Sequence, residues 1–493
     1  MKTIDLVVFF IYMLGITVFG GSFLRKNKTS SAFTLGNSAI PRWVVTMSIF
    51  ATFVSSISFL ALPGSAFQGN WNAFVFSLSI PLAGIIAVFF FVPLYRKINS
   101  PSAYTYLENR FGPWARVYVS ICYLLTQVMR VGTILYLLAL AVNAVFGWNI
   151  ATVIIVTGLA VMVYSSMGGL QAVVWTDAIQ GIILIAGAAV CAIFLLFDLP
   201  EGPHQLFSIA AQNHKFSLGS FGTSLAEPTF WVVLVYGLFI NLQNFGIDQN
   251  YVQRYMASKS EKDAKRSAFT GGLIYIPVSF LFLFIGTGLY AYYSSGAGNL
   301  PADLLTSSKA DRIFPYFIVH SLPAGISGLL IASVFAAGMS TISTSFNSSA
   351  TVFLTDFYKR YFNSHASEKS SMMVLYISSL VISILGILVG IAMINVKSAL
   401  DAWWKLASIF SGGMLGLFLL AAFVKMSNSK AAIIGMIAGI ITILYLSAGP
   451  IAFGNSIPGG QLHNYLTIVI GTVIIFLTGF VLSWLFGNIS KSQ

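Results

Sequence analysis

The chain has 493 residues, of which 57% are hydrophobic and only 8% charged, and its mean hydropathy is +0.85. These values exclude a soluble globular protein and point to an all-helical membrane protein, because the apolar runs are continuous where barrel strands would alternate. The formal net charge of +12 does not indicate a nucleic-acid partner, since the basic residues fall in short clusters between apolar runs, which is a topology signal.

Runs of roughly 18 or more apolar residues predict thirteen transmembrane helices, at 4–24, 40–68, 71–97, 116–146, 149–167, 172–197, 229–248, 269–293, 323–355, 371–396, 401–424, 431–448 and 463–487. The first lacks a small-residue cleavage site before Arg25, Lys26 and Lys28 and reads as a retained span. Cys122 and Cys191 both fall inside spans, where a thiol is a small buried hydrophobe, so no disulfide framework or cysteine metal site is expected. An odd span count puts the termini on opposite faces. Nineteen of the 26 basic residues share the face of Arg25, six lie on the other and Arg130 stays within the membrane, so the N-terminus is expected outside and the C-terminus inside. The connections 199–228 and 294–323 are then external, the second carrying DRIFPYFIVHSL as a short helix over an outer vestibule. The stretch 251–267, YVQRYMASKSEKDAKRS, reads as an internal, solvated basic loop near anionic headgroups. The whole of 1–493 is expected to form one membrane domain. It comprises an extra helix at 4–24, a five-helix repeat at 40–197, an inverted five-helix repeat at 229–424 and two closing helices at 431–487.

Residues 40–67, IPRWVVTMSIFATFVSSISFLALPGSAF, form a largely apolar segment with no charge between Trp43 and Phe67 and with Ser55, Ser56 and Ser58 clustered near its middle. Three hydroxyls within four residues, followed by Pro63-Gly64, predict a break in the helix. Carbonyls and amides freed by such a break survive only where protein or a cavity covers them, and secondary transporters use them to bind coupling ion and substrate. A continuous helix whose serines bond to neighbouring helices is the alternative. Residues 239–249, FINLQNFGIDQ, place amides including Gln243, a glycine and Asp248 in a second apolar span, so the interruptions come as a pair.

Arg130 sits near the centre of its span, where a lone charge costs about 2.5–3.5 kcal/mol. Thr126, Gln127 and Thr133 share its face of the helix and turn that stripe toward the bundle interior. Two readings stand: a planar fork that clamps an anionic substrate, or a structural partner for Asp177 or for freed carbonyls. Asp177 in turn is a hydrated acid at a helix start or an ion ligand. In 331–350, IASVFAAGMSTISTSFNSSA, Ala337, Ser340 and Thr341 recur at helical spacing, and Ser340, Ser343 and Thr344 repeat it one step round. Two such oxygen stripes suit a small desolvated cation, with close helix packing as the alternative.

Five stretches, FATFVSSISFLALPG, SAYTYLENRFG, MGGLQAVVWTDAIQG, QNYVQRY and FAAGMSTISTSFNS, occur in one order across nearly the whole chain. Together they resemble the sodium/solute symporter family, and within it the bacterial sodium/sialic acid symporters. The resemblance implies a leucine-transporter-like fold of two inverted five-helix repeats that works by alternating access. It implies a main sodium site from the backbone carbonyls of Ala51, Val54 and Ala337 with the hydroxyls of Ser340 and Thr341. A second sodium site further inward would use Asp177, Ser340, Ser343 and Thr344. Arg130 would meet the substrate carboxylate, with Ser55, Ser56, Ser58, Phe59, Phe74, Ser77 and Gln243 completing the substrate site. Phe53 and Ser77 stand where sialic acid members carry other polar groups. The expected function is sodium-coupled import of N-acetylneuraminate through a bacterial-type inner membrane, with lipid, sodium and the anionic sugar as partners and no obligate protein partner. A symporter of the same family for proline, pantothenate or a hexose is the alternative, and a membrane solute sensor lies further off. An enzyme is not expected, because no buried acid–base or nucleophile–base pair is visible.

Overall fold

The computed structural model describes residues 3–23, 29–36, 40–166, 169–305, 307–396, 398–424, 428–453 and 461–489. Arg25, Lys26 and Lys28, with Lys2, Lys397, Lys425 and Lys491, lie outside the described residues, as do Met167 and Gly168. The described residues form helices and no strand, beyond an isolated bridge between Ile40 and Ser258. The principal helices are α1 (Thr3–Gly21), α2 (Arg42–Phe53), α3 (Ile57–Gln68), α4 (Trp71–Ile98), α5 (Pro113–Phe146), α6 (Ile150–Ser166), α7 (Gly169–Phe197) and α8 (Phe230–Gly246). They continue as α9 (Gln249–Ala257), α10 (Glu261–Ser294), α11 (Ile326–Phe362), α12 (Glu368–Asn395), α13 (Ala399–Phe423), α14 (Ser429–Phe453) and α15 (Leu466–Ile489). Among the described residues, ten helices are long and apolar enough to cross a membrane, and the bent pairs α2/α3 and α8/α9 raise the number to twelve. Thirteen were expected. The other expected span, 149–167, corresponds to α6, whose apolar stretch among the described residues, Ile150–Met162, is shorter than a full crossing takes.

Both interruptions read from the sequence are present. α2 stops at Val54, which is extended (φ −97°, ψ 130°). The Ser55 hydroxyl then accepts the Ile57 N–H at 3.1 Å, and α3 opens with a π-turn over Ile57–Ala61 before Pro63 enters its next turn. The two halves are bent by 57°. α8 and α9 meet at 45°, with Asp248 extended between them and capping α9 through the Asn250 N–H at 2.9 Å.

The stretch 251–267 is not a solvated loop. Its first part is α9, all nine residues of which are buried, Arg254 among them at 0% exposure. From Glu261 onward it is the first turns of α10, capped by the Ser260 hydroxyl on the Asp263 N–H. The loop reading treated Arg254 as solvated, whereas folded partners neutralise it. DRIFPYFIVHSL does contain a short helix, Ile313–His320, with Ile313, Phe314, Phe317 and Ile318 buried.

α10 crosses α3 closely at Gly286, where a Cβ would fall inside the Pro63 carbonyl and 2.8 Å from the Ala66 Cβ. Backbone lies on the facing side, so a larger residue cannot be absorbed by a side-chain rotation. Gly286→Val is expected to cost about 1–3 kcal/mol through overpacking, read as a lower melting temperature of the purified protein in detergent. Gly15→Val, on α1 where a Cβ meets nothing within 4 Å, controls for handling.

Candidate functional site

The break at Val54 faces the hydroxyl ridge of α11. Thr341 Oγ1 lies 3.2 Å from the Val54 carbonyl oxygen and 3.2 Å from that of Ala337, and Ser340 Oγ donates to the Ala337 carbonyl at 3.1 Å. Ala51 is one turn back on α2 and 1% exposed. Hydroxyl and carbonyl oxygens from a broken helix and its neighbour thus converge in a buried place, the kind of oxygen set a hard cation takes.

Beside this group is a cavity enclosed by α2, α3, α4, α5, α8, α9, α10, α11 and α13. It is lined by Thr52, Phe53, Ser55, Ser58, Thr126, Arg130, Gln243, Asn244, Tyr251, Tyr275, Thr341 and Trp403, among others. Its free volume is about 80 Å³, room for several waters. Leu400 borders both this cavity and a wider vestibule of about 790 Å³ lined by Ser65, Gln68, Tyr290, Asp311 and Asp401. Arg130 donates through Nη2 to Asp248 Oδ2 at 3.2 Å, and its guanidinium lies 5.2 Å from the centre of the Trp403 ring. Its buried Nη1 has no hydrogen-bond partner among the described residues. The arginine's ion-pair partner is therefore Asp248 and not Asp177.

Four of the expected substrate residues do not line the cavity. Ser56 donates to the Ile134 carbonyl at 3.4 Å, because the unwound turn points Ser55 and Ser58 one way and Ser56 the other. Phe59 packs against Phe282 and Phe314, and Phe74 against Trp71 and Phe280. Ser77 donates to the Ser279 hydroxyl at 3.0 Å. Ser55, Ser58 and Gln243 line it together with Arg130.

A second buried cluster centres on Asp177. Its Oδ2 accepts from Arg254 Nη2 at 2.6 Å, Ser48 Oγ at 2.8 Å and Thr344 Oγ1 at 3.3 Å. Its buried Oδ1 has no hydrogen-bond partner among the described residues. Ser343 stands on the same helix as Thr344 and donates to the Ser340 carbonyl at 3.0 Å. Asp177 and Thr344 thus meet directly, while Ser340 and Ser343 form the adjoining turn. Arg254 was not singled out from the sequence, although it sits in the QNYVQRY stretch.

A model of the Sodium:solute symporter family matches residues 33–439. The chain belongs to that family. The symporter is 34% identical over 490 residues to the sodium/sialic acid symporter SiaT of Proteus mirabilis, covering 98% of this chain and 95% of that protein. It is 30% identical over 490 residues to the sodium/sialic acid symporter NanT of Aliivibrio fischeri, covering 99% and 94%. A solved structure of a Na⁺-coupled sialic acid symporter in a substrate-bound outward-open state matches it with a TM-score of 0.90 and 31% identity over 98% of both chains.

The symporter's Asp177–Arg254 pair is enclosed on both sides, with side-chain exposures of 1% and 0%. Removing one partner strands the other in a site that water does not reach. Arg254→Met is expected to cost about 3–5 kcal/mol of stability, and Asp177→Leu/Arg254→Met to recover most of it, measured as melting temperatures of the single and double variants.

Proposed function

We propose that this symporter couples sodium entry to the import of a sialic acid such as N-acetylneuraminate by alternating access, in a bacterial-type inner membrane, with its N-terminus outside and its C-terminus in the cytoplasm. The reading rests above all on Thr341. Its hydroxyl borders the cavity that holds Arg130 and also meets the Val54 carbonyl at the helix break. Cation and solute would therefore share one wall.

In this reading a sodium ion takes the carbonyls of Ala51, Val54 and Ala337 and the hydroxyls of Ser340 and Thr341, drawing the α2/α3 break against α11. A second sodium takes Asp177, Ser340, Ser343 and Thr344, where the free Oδ1 of Asp177 offers a charge. The substrate carboxylate takes the unpartnered Nη1 of Arg130, while Ser55, Ser58 and Gln243 meet the sugar's hydroxyl and amide groups. α6 serves as the thirteenth span. The repeats then comprise α2/α3 to α7 and α8/α9 to α13, an assignment supported by each opening on a bent pair. Each sodium entering down the membrane potential supplies about 2.3 kcal/mol per 100 mV, besides its concentration gradient. Coupling requires that sodium tighten sugar binding and that sugar tighten sodium binding by the same factor.

Proteoliposomes with an inward sodium gradient should take up labelled N-acetylneuraminate saturably, and potassium in place of sodium should abolish uptake. Proline, pantothenate and hexoses in excess should not compete. Arg130→Gln should lower kcat/KM by about 30-fold or more, as expected for a lost charge-assisted contact in a desolvated site, and should also lower the melting temperature because it leaves the buried Asp248 without its cation. Sodium-independent uptake, or full activity in Arg130→Gln, would contradict the assignment.

A further inference from the structure

Helix α9 is buried along all nine residues, and the charges near its two ends point to different places. At its start, Asp248 uses Oδ1 to cap the Asn250 N–H at 2.9 Å and Oδ2 to hold Arg130 at 3.2 Å. Further along, Arg254 donates through Nη1 to the Asn250 carbonyl at 2.5 Å. The same side chain reaches Asp177 at 2.6 Å and Thr344 at 2.8 Å through Nη2, and Ser48 at 2.7 Å through Nε. Asn250 is itself fixed, accepting from the Tyr123 hydroxyl at 3.1 Å and donating to Gln127 Oε1 at 3.4 Å. An unbroken run of polar contacts, Arg130, Asp248, Asn250, Arg254 and Asp177, therefore joins the cavity to the inner carboxylate cluster.

Each end of this run faces a ligand. A substrate carboxylate on the free Nη1 of Arg130 shares that guanidinium's charge with Asp248, and a cation on the free Oδ1 of Asp177 shares that carboxylate's charge with Arg254. Either event changes the charge balance at one end of a short rigid helix whose other end cannot shift without unpairing a buried charge. The 45° bend at Ile247 and Asp248 interrupts the backbone ladder between α8 and α9, which makes it the joint where a change of charge balance at either end would be taken up. We infer that α9 links the inner cation and the substrate carboxylate, with Asp248 and Arg254 as positioning residues that transmit occupancy and do not themselves bind the solute. The inference rests on the symport reading above.

The test is the ratio of N-acetylneuraminate affinities of the full-length protein in sodium and in potassium, measured by calorimetric titration. A merely loosened fold lowers both affinities alike and leaves the ratio unchanged. Asp248→Asn keeps an oxygen to cap Asn250 but loses the charge that holds Arg130. Arg254→Lys keeps a cation beside Asp177 but loses the second nitrogen that reaches the Asn250 carbonyl. Each is expected to cut the sodium enhancement by about threefold or more, the remainder being carried by the main site through Val54 and Thr341. An enhancement within threefold of wild type in the variants that fold overturns the inference; should one variant fail to fold, the other decides. Absence of any sodium enhancement in the wild type instead overturns the symport reading.

Discussion

A helix that stops inside an apolar bundle leaves carbonyl oxygens that lipid cannot satisfy, and the protein must cover them itself. Here α2 stops at Val54, and the group that meets its carbonyl is the hydroxyl of Thr341, borne by a helix far along the chain. Much of the architecture follows from that contact. α3 leaves at 57°, Ser55 and Ser58 turn toward the cavity, and α10 passes close enough to Pro63 that only glycine fits at 286. A continuous helix through residues 40–68 would have neither a cavity beside Ser55 nor an exposed set of oxygens facing α11.

The buried arginines impose a second constraint. Arg130 pairs with Asp248, and Arg254 with Asp177. Such pairs contribute little net stability, because desolvation offsets most of the attraction, but breaking one strands a charge. They therefore act as orienting devices. Arg130 is held through one nitrogen so that the other remains for a carboxylate, and Asp177 is held through one oxygen so that the other remains for a cation. Both tethers run to the same nine-residue helix and its cap.

The two breaks and the α11 ridge were legible because polar residues inside long apolar runs have few explanations, and because the i, i+3, i+4 spacing puts Ala337, Ser340 and Thr341 on one face. Arg254 was not legible. In a segment with four other basic residues it reads as a solvated charge, and its partner Asp177 lies 77 positions away. Asp248 was not weighed as a partner of Arg130, where the structural reading offered Asp177 or freed carbonyls, because both acids lie within spans and only the fold says which is near. The serine cluster was read as one unit, but an unwound turn does not keep helical periodicity, so Ser56 parts from Ser55 and Ser58. Phe59 and Phe74 looked like cavity walls, yet they serve the aromatic packing of α10 and its neighbours.

The contact between Val54 and Thr341 is most directly tested by binding of ²²Na⁺ to the purified protein without substrate, comparing wild type with Thr341→Val, which keeps the side-chain shape and removes the oxygen. A sodium site at this junction predicts that the substitution weakens binding by about tenfold or more, equivalent to about 1.4 kcal/mol. Unchanged sodium affinity in Thr341→Val would place the ion elsewhere and contradict it.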